Sequence, residues 1–144
     1  MQRIALIGCS KSKKGKETPD VFCSAQEIYT GRNFLKSIQE GIKYFKCDDF
    51  YILSAEHGLL EKDKKICWYD KSLYEMRAAC RKQWADKVLG ELRSKYDLKN
   101  TEFVIFAGSL YAKDLVGHLN CITLHFNGRH ITFKVKNKYD NGGK

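Results

Sequence analysis

Only one acid–imidazole pair stands adjacent in this 144-residue sequence, Glu56-His57. Asp63, Tyr69 and Asp70 follow it in the same polar stretch. A general acid or base for neutral pH is drawn from such groups, because burial and neighbouring charge bring a carboxyl or imidazole pKa near 7. Glu56, His57, Asp63, Tyr69 and Asp70 are the group from which such a residue would come; the competing reading is a solvated loop without chemistry. The second concentration is Gly8-Cys9-Ser10-Lys11-Ser12-Lys13-Lys14-Gly15-Lys16, rich in hydroxyls, ammonium groups and flexible backbone. Lysines such as Lys11 and Lys13 hold a phosphate as point charges, with Ser10 beside them. The stretch has neither the G-x-x-x-x-G-K-[ST] spacing nor G-x-G-x-x-G, so neither of those phosphate-binding mechanisms is supported. Cys9 has basic neighbours that favour a thiolate, although a cysteine closing a buried strand is more often simply packed. Tyr29, Phe34 and Tyr111 are candidates for stacking on a planar ring, or else core.

These residues need elements to place them. Ile4-Ala5-Leu6-Ile7 is a short apolar run ending in Gly8, read as a first buried strand. Ser24-x-x-Glu27 has the form of a capping box, and Phe34, Ile38, Ile42 and Phe45 recur at helical spacing. Phe50 to Ser54 is the second strand, and residues 55–71 read as a long irregular, functional loop. Ser72-x-x-Glu75 is a second capping box, followed by an apolar stripe of Leu73, Met76, Cys80, Trp84, Val88 and Leu92. Glu102 to Ala107 is the third strand, Gly108-Ser109 opens a short helix, and Cys121 to Phe126 is the fourth strand. Asn127-Gly128 signals a hairpin before Ile131 to Val135.

Strands alternating with helices imply an α/β fold. The expectation is a single three-layer domain over residues 1–144, with residues 136–144 a flexible tail. A four-stranded, mainly parallel sheet carries helices on both faces and ends in a C-terminal hairpin. Ligands of such sheets bind beyond the carboxyl ends of the strands. That rule singles out Gly8 to Lys11, Ser54 to Gly58, and Ala107-Gly108-Ser109.

Apolar residues make up 43% and charged residues 30%, a composition that supports a core and excludes collagen-like, disordered and membrane classes. The first eight residues are too short for a signal-peptide core and no run reaches bilayer length, so a cytoplasmic protein without membrane contact is expected. Net charge is +9, concentrated at the ends: residues 1–16 hold five Lys/Arg and no acid, and residues 129–144 hold five with Asp140. Such a balance suits an anionic partner. The six cysteines contain no C-x-x-C pair and the four histidines no H-x-x-x-H spacing. No metal, no disulfide and no cofactor are therefore expected.

The motifs Cys9-Ser10-Lys11-Ser12-Lys13, Tyr29-Thr30-Gly31 with Phe34, Ile52-Leu53-Ser54-Ala55-Glu56-His57-Gly58-Leu59 and Tyr69-Asp70-Lys71-Ser72-Leu73, closing with Ala107-Gly108 and Tyr111, occur in this order. They resemble a group of small uncharacterised bacterial and phage domains, similar to the peroxide-stress protein YaaA group and more distantly to the uracil-DNA glycosylase-like fold. Related domains occur in enzymes handling deazaguanine bases. The resemblance covers roughly residues 4–119 and implies a nucleobase or nucleotide above the first three strands. The first expectation it carries is an enzyme that cleaves or exchanges an N-glycosidic bond. Glu56 or Asp63 would support a cationic sugar, and His57 would move the proton. Ser10, Lys11 and Lys13 would bind phosphate, Tyr29 or Tyr111 would stack, and Cys9, Ser54, Gly108 and Ser109 would complete the binding wall. One alternative is a phage-type protein that sequesters a nucleotide immune signal without turnover. Another is a DNA- or RNA-binding protein working through the basic ends, for which no helix-turn-helix or zinc-finger pattern is present.

Overall fold

The computed structural model describes residues 1–127 and 130–137. The strands and helices run in the order β1 (Gln2–Gly8), β2 (Cys23–Ser24), α1 (Ala25–Ile28), α2 (Arg32–Lys36), α3 (Ile42–Tyr44), β3 (Asp49–Ser54), β4 (Gly58–Glu61), β5 (Lys65–Ile66), α4 (Ala78–Lys95), β6 (Thr101–Phe106), α5 (Ser109–Ala112), β7 (Cys121–Asn127) and β8 (His130–Asn137). A π turn, Ser37–Gly41, joins α2 to α3.

The main sheet has the order β4-β3-β1-β6-β7-β8. Its four central strands are mutually parallel, β1 pairing with β3 and β6, and β6 with β7. They are the four strands expected from the apolar runs. The sheet is nevertheless six-stranded and mixed rather than four-stranded, because β4 and β8 add antiparallel edges to the parallel centre. The edge strand β4 comes from the segment read as an irregular loop. Ser54 pairs with Gly58 across a three-residue turn, and Gly58 takes φ +73, a left-handed conformation suited to glycine at that point of a hairpin. The same segment supplies β5, which pairs with β2 in a small separate ribbon. The β7–β8 pairing agrees with the expected C-terminal hairpin, although residue 128 of its turn lies outside the described residues. Strand β8 reaches Asn137, so residues 136 and 137 belong to the sheet and not to a tail; residues 138–144 lie outside the described residues.

Alternation along the strands divides the core into two layers. Ile4, Leu6, Phe103 and Ile105 pack with Trp84, Ala85, Val88, Leu89 and Leu92 of α4. Ala5, Ile7, Val104 and Phe106 pack on the opposite face with Ile28 and Phe34 of α1 and α2. The expected three-layer α/β arrangement is present. The helix α4 starts later than its stripe suggested: Met76 and Arg77 are extended, Leu73 sits in a 3₁₀ turn, and Cys80 is exposed. The Ser72 hydroxyl accepts the Tyr74 amide and so caps only that 3₁₀ turn, while Ser24 makes no side-chain cap for α1.

Candidate functional site

After β1 the chain moves to one side of it to form β3, then crosses to the other side to form β6. The order reverses between β1 and β6, which is where an open α/β sheet presents a crevice. A cleft of about 420 Å³ lies there, large enough for a small ligand. Its floor is the carboxyl end of both strands, Gly8-Cys9 and Phe106-Ala107-Gly108. It straddles the sheet edge, so its two ends belong to different layers. On the α2 side stand Ser10, Lys11, Ser12, Gly31, Arg32 and Asn33; on the α4 side stand Tyr74 and Tyr111.

Two loops form the α2 side and are stitched together. Gly31 N–H donates to Ser10 Oγ (3.1 Å), Thr30 N–H to the Ser12 carbonyl (2.9 Å), and Lys14 N–H to the Ile28 carbonyl (2.8 Å). Lys13 and Tyr29 add one antiparallel bridge. The approach is so close that a Cβ on Gly31 would overlap Cβ of Ser10 and stand 3.0 Å from its Oγ. Among the described residues no Asp or Glu lines the cleft, and Lys11 and Arg32 are exposed without an ion pair. Two cations without counter-charge, beside two hydroxyls, form an anion-attracting wall.

On the α4 side Tyr111 is a buried wall residue. Its hydroxyl lies 3.5 Å from Cys9 Sγ and 3.5 Å from the Leu73 amide nitrogen, and Trp84 packs edge-on against its ring at 5.7 Å. Burial and the adjacent Cys9 raise the Tyr111 pKa well above its usual value, so the phenol stays protonated.

The cleft thus brings together Cys9, Ser10, Lys11, Gly108 and Tyr111. It does not gather the expected acid–base group. Glu56 and His57 sit in the β3–β4 turn, with Glu56 3.5 Å from Lys71 in an exposed ion pair. His57 packs edge-on against Tyr69 at 5.4 Å, and burial lowers its pKa. Asp63 lies in the turn between β4 and β5, where its carboxylate accepts from Gln26 Nε2 at 2.9 Å. None of the three lines the cleft. Ser109 is exposed on α5 and also lies outside the lining.

Ser54, Tyr29 and Lys13 form a different unit below the first turn. Tyr69 Oη lies 2.6 Å from Tyr29 Oη and 3.0 Å from Ser54 Oγ, and Ser54 Oγ accepts the amides of Glu56 and His57. Ser54 and Tyr29 are buried, so Tyr29 has no free ring face for stacking. Lys13 lies over the Tyr69 ring at 4.5 Å and donates to the Lys11 carbonyl at 2.8 Å; burial lowers its pKa. Its ammonium shapes the turn and does not line the cleft. Sequence reasoning missed Ser12, Gly31, Arg32, Asn33 and Tyr74 as cleft residues. Gly31-Arg32-Asn33 stands immediately before Phe34 in one of the quoted motifs, a polar step that carried the available signal.

A family model described as a family of unknown function (DUF6884) matches residues 4–135. The chain belongs to that family. The DUF6884 match spans β1 through most of β8, and so includes every cleft residue. No curated protein and no solved structure matches the chain. No helix among the described residues is long and apolar enough to cross a membrane.

Proposed function

We propose that this protein binds a nucleotide in the switch-point cleft and holds it intact. The observation that carries this reading is the lining by described residues: two cations, several hydroxyls and aromatic rings, with no carboxylate or imidazole among those described residues. A phosphate ester joined to a planar base complements both ends of such a cleft, and a nucleotide is the common molecule with that make-up. The sequence resemblance to the YaaA group and to nucleobase-handling domains points to the same ligand class. N-glycosidic cleavage needs an acid–base group at the sugar, and Glu56, His57 and Asp63 stand outside the lining. That placement favours sequestration over turnover.

Calorimetry with nucleoside 5′-monophosphates, followed by chromatography of the recovered ligand, tests the reading. Hydrogen bonds to charged groups contribute about 1.5–3 kcal/mol, so Arg32→Ala and Lys11→Ala should each weaken binding roughly 10- to 150-fold. Raised salt should weaken wild-type binding as well. Failure to bind any phosphate ester overturns the proposal. Release of free base, abolished by Glu56→Gln or His57→Ala, would establish the N-glycosidic reading instead.

A further inference from the structure

The two ends of the cleft differ in kind, and one aromatic ring on its rim is left unfinished by the fold. Tyr74 belongs to the 3₁₀ turn Leu73–Glu75, whose backbone is firmly held: Leu73 is fully buried, the Leu73 amide faces Tyr111 Oη, and Ser72 Oγ accepts the Tyr74 amide at 3.2 Å. The Tyr74 side chain itself is 65% exposed although it lines the cleft. Its ring centroid is 6.4 Å from that of Tyr111, and its hydroxyl sits over Gly108, where an added Cβ would stand 3.1 Å away. Tyr111 and Phe34 are buried and offer walls, while Tyr74 offers a face. The cations are on the other side of the sheet edge, next to Ser10 and Ser12.

We propose that Tyr74 is the base-stacking residue of the cleft and fixes the polarity of the ligand, base towards Tyr74 and Gly108, phosphate towards Lys11 and Arg32. This assignment rests on the nucleotide-binding reading. The held backbone of the turn fixes where the Tyr74 ring is carried, and a tyrosine, with two χ angles, loses little conformational freedom when it stacks. Stacking on any base is possible, because every base has a π face. Tyr74 therefore selects for the presence of a base and not for its edge pattern. A side chain at position 108 would press on the Tyr74 hydroxyl, so glycine there lets the ring keep its place on the rim.

The test compares wild type, Tyr74→Ala and Tyr74→Phe by calorimetry with three probes: adenosine 5′-monophosphate, guanosine 5′-monophosphate and ribose 5-phosphate. Loss of one base–aromatic stack corresponds to roughly 5- to 150-fold in affinity. Tyr74→Ala should weaken both nucleotides by that factor and leave ribose 5-phosphate unchanged, and Tyr74→Phe should restore nucleotide affinity. Because Tyr74 is exposed, its removal should leave the melting temperature close to wild type, so weak binding cannot be blamed on unfolding. If wild type binds the nucleotides and Tyr74→Ala binds them equally well, the stacking assignment fails while nucleotide binding stands. An equal loss for ribose 5-phosphate also overturns it, since Tyr74 would then act on the phosphate end. If wild type binds none of the three probes, the nucleotide reading and this assignment fall together.

Discussion

Ser10 and Gly31 approach so closely that a Cβ on Gly31 would overlap the Ser10 side chain, and they show how much a single side-chain carbon decides there. Gly31 has φ −63 and ψ 143, a conformation open to any residue, so glycine is needed for space and not for backbone freedom. A methyl group at Gly31 would run into Ser10 Cβ and push apart the two loops that carry Lys11 and Arg32. Gly31→Ala should cost about 1–3 kcal/mol, the usual range for overpacking, and should weaken nucleotide binding with it. Combining it with Ser10→Gly removes the opposing Cβ, so the double variant should recover part of the stability lost by Gly31→Ala. Denaturant titration of the four proteins in the cycle measures this; strictly additive losses would show that the two residues do not oppose each other. The Ser10 side was legible in the sequence because hydroxyl and lysine types cluster after a buried strand. Gly31 and Arg32 were not, because a site assembled from segments twenty residues apart leaves no local spacing to read. The reverse error came from Glu56-His57, an adjacent pair whose chemistry looked local but whose position is a hairpin turn.

The central elements followed from hydrophobic pattern, and the peripheral ones did not. Buried parallel strands are near-continuous apolar runs, and β1, β3 and β6 have that signature, while β7 has apolar residues interrupted by Thr123 and His125. The edge strand β4 is four residues long and β5 two, too short for periodicity to separate them from loop. Helix α4 was recognisable, but its start was set by the extended backbone of Met76 and Arg77, which overrode a stripe that continues upstream. Between these elements, the Tyr29–Tyr69–Ser54 hydroxyl cluster ties the stretch after β1 to the β3–β4 turn. Tyr69→Phe removes its central group and leaves Tyr29 Oη buried without that partner, at a cost of about 1–3 kcal/mol. Since Tyr29 also bridges Lys13, the same substitution should loosen the first turn and lower nucleotide affinity. A thermal melt and a binding isotherm on the one variant check both; wild-type stability would mean that the cluster contributes nothing net.

Across the whole molecule, buried phenols and thiols set an alkaline limit to stability. Burial pushes the Cys47 and Cys121 thiols up from 9.0 to about 11 and about 12, and raises Tyr29, Tyr69 and Tyr111 above the usual 10.0. Each of these groups is neutral when protonated, so a raised folded-state pKa means that the native protein keeps protons the unfolded chain has already released. Stability changes with pH in proportion to protons bound unfolded minus protons bound native. For these thiols and phenols that difference is zero at neutral pH and becomes negative once the unfolded thiols titrate near 9, then more so as the unfolded phenols follow near 10. It outweighs the opposing contribution of Lys13, whose pKa burial lowers. Stability should therefore be flat from pH 7 to about 8.5 and fall ever more steeply above it, at about 1.4 kcal/mol per pH unit for each proton of difference. Urea midpoints measured from pH 7 to 11 under reductant give the curve. Tyr69→Phe supplies the control, because phenylalanine has no proton to lose: less stable at pH 7, it should decline more gently above pH 10, and the two curves should converge. Parallel curves would show that Tyr69 does not titrate on unfolding, and a wild-type midpoint constant to pH 11 would refute the alkaline limit altogether.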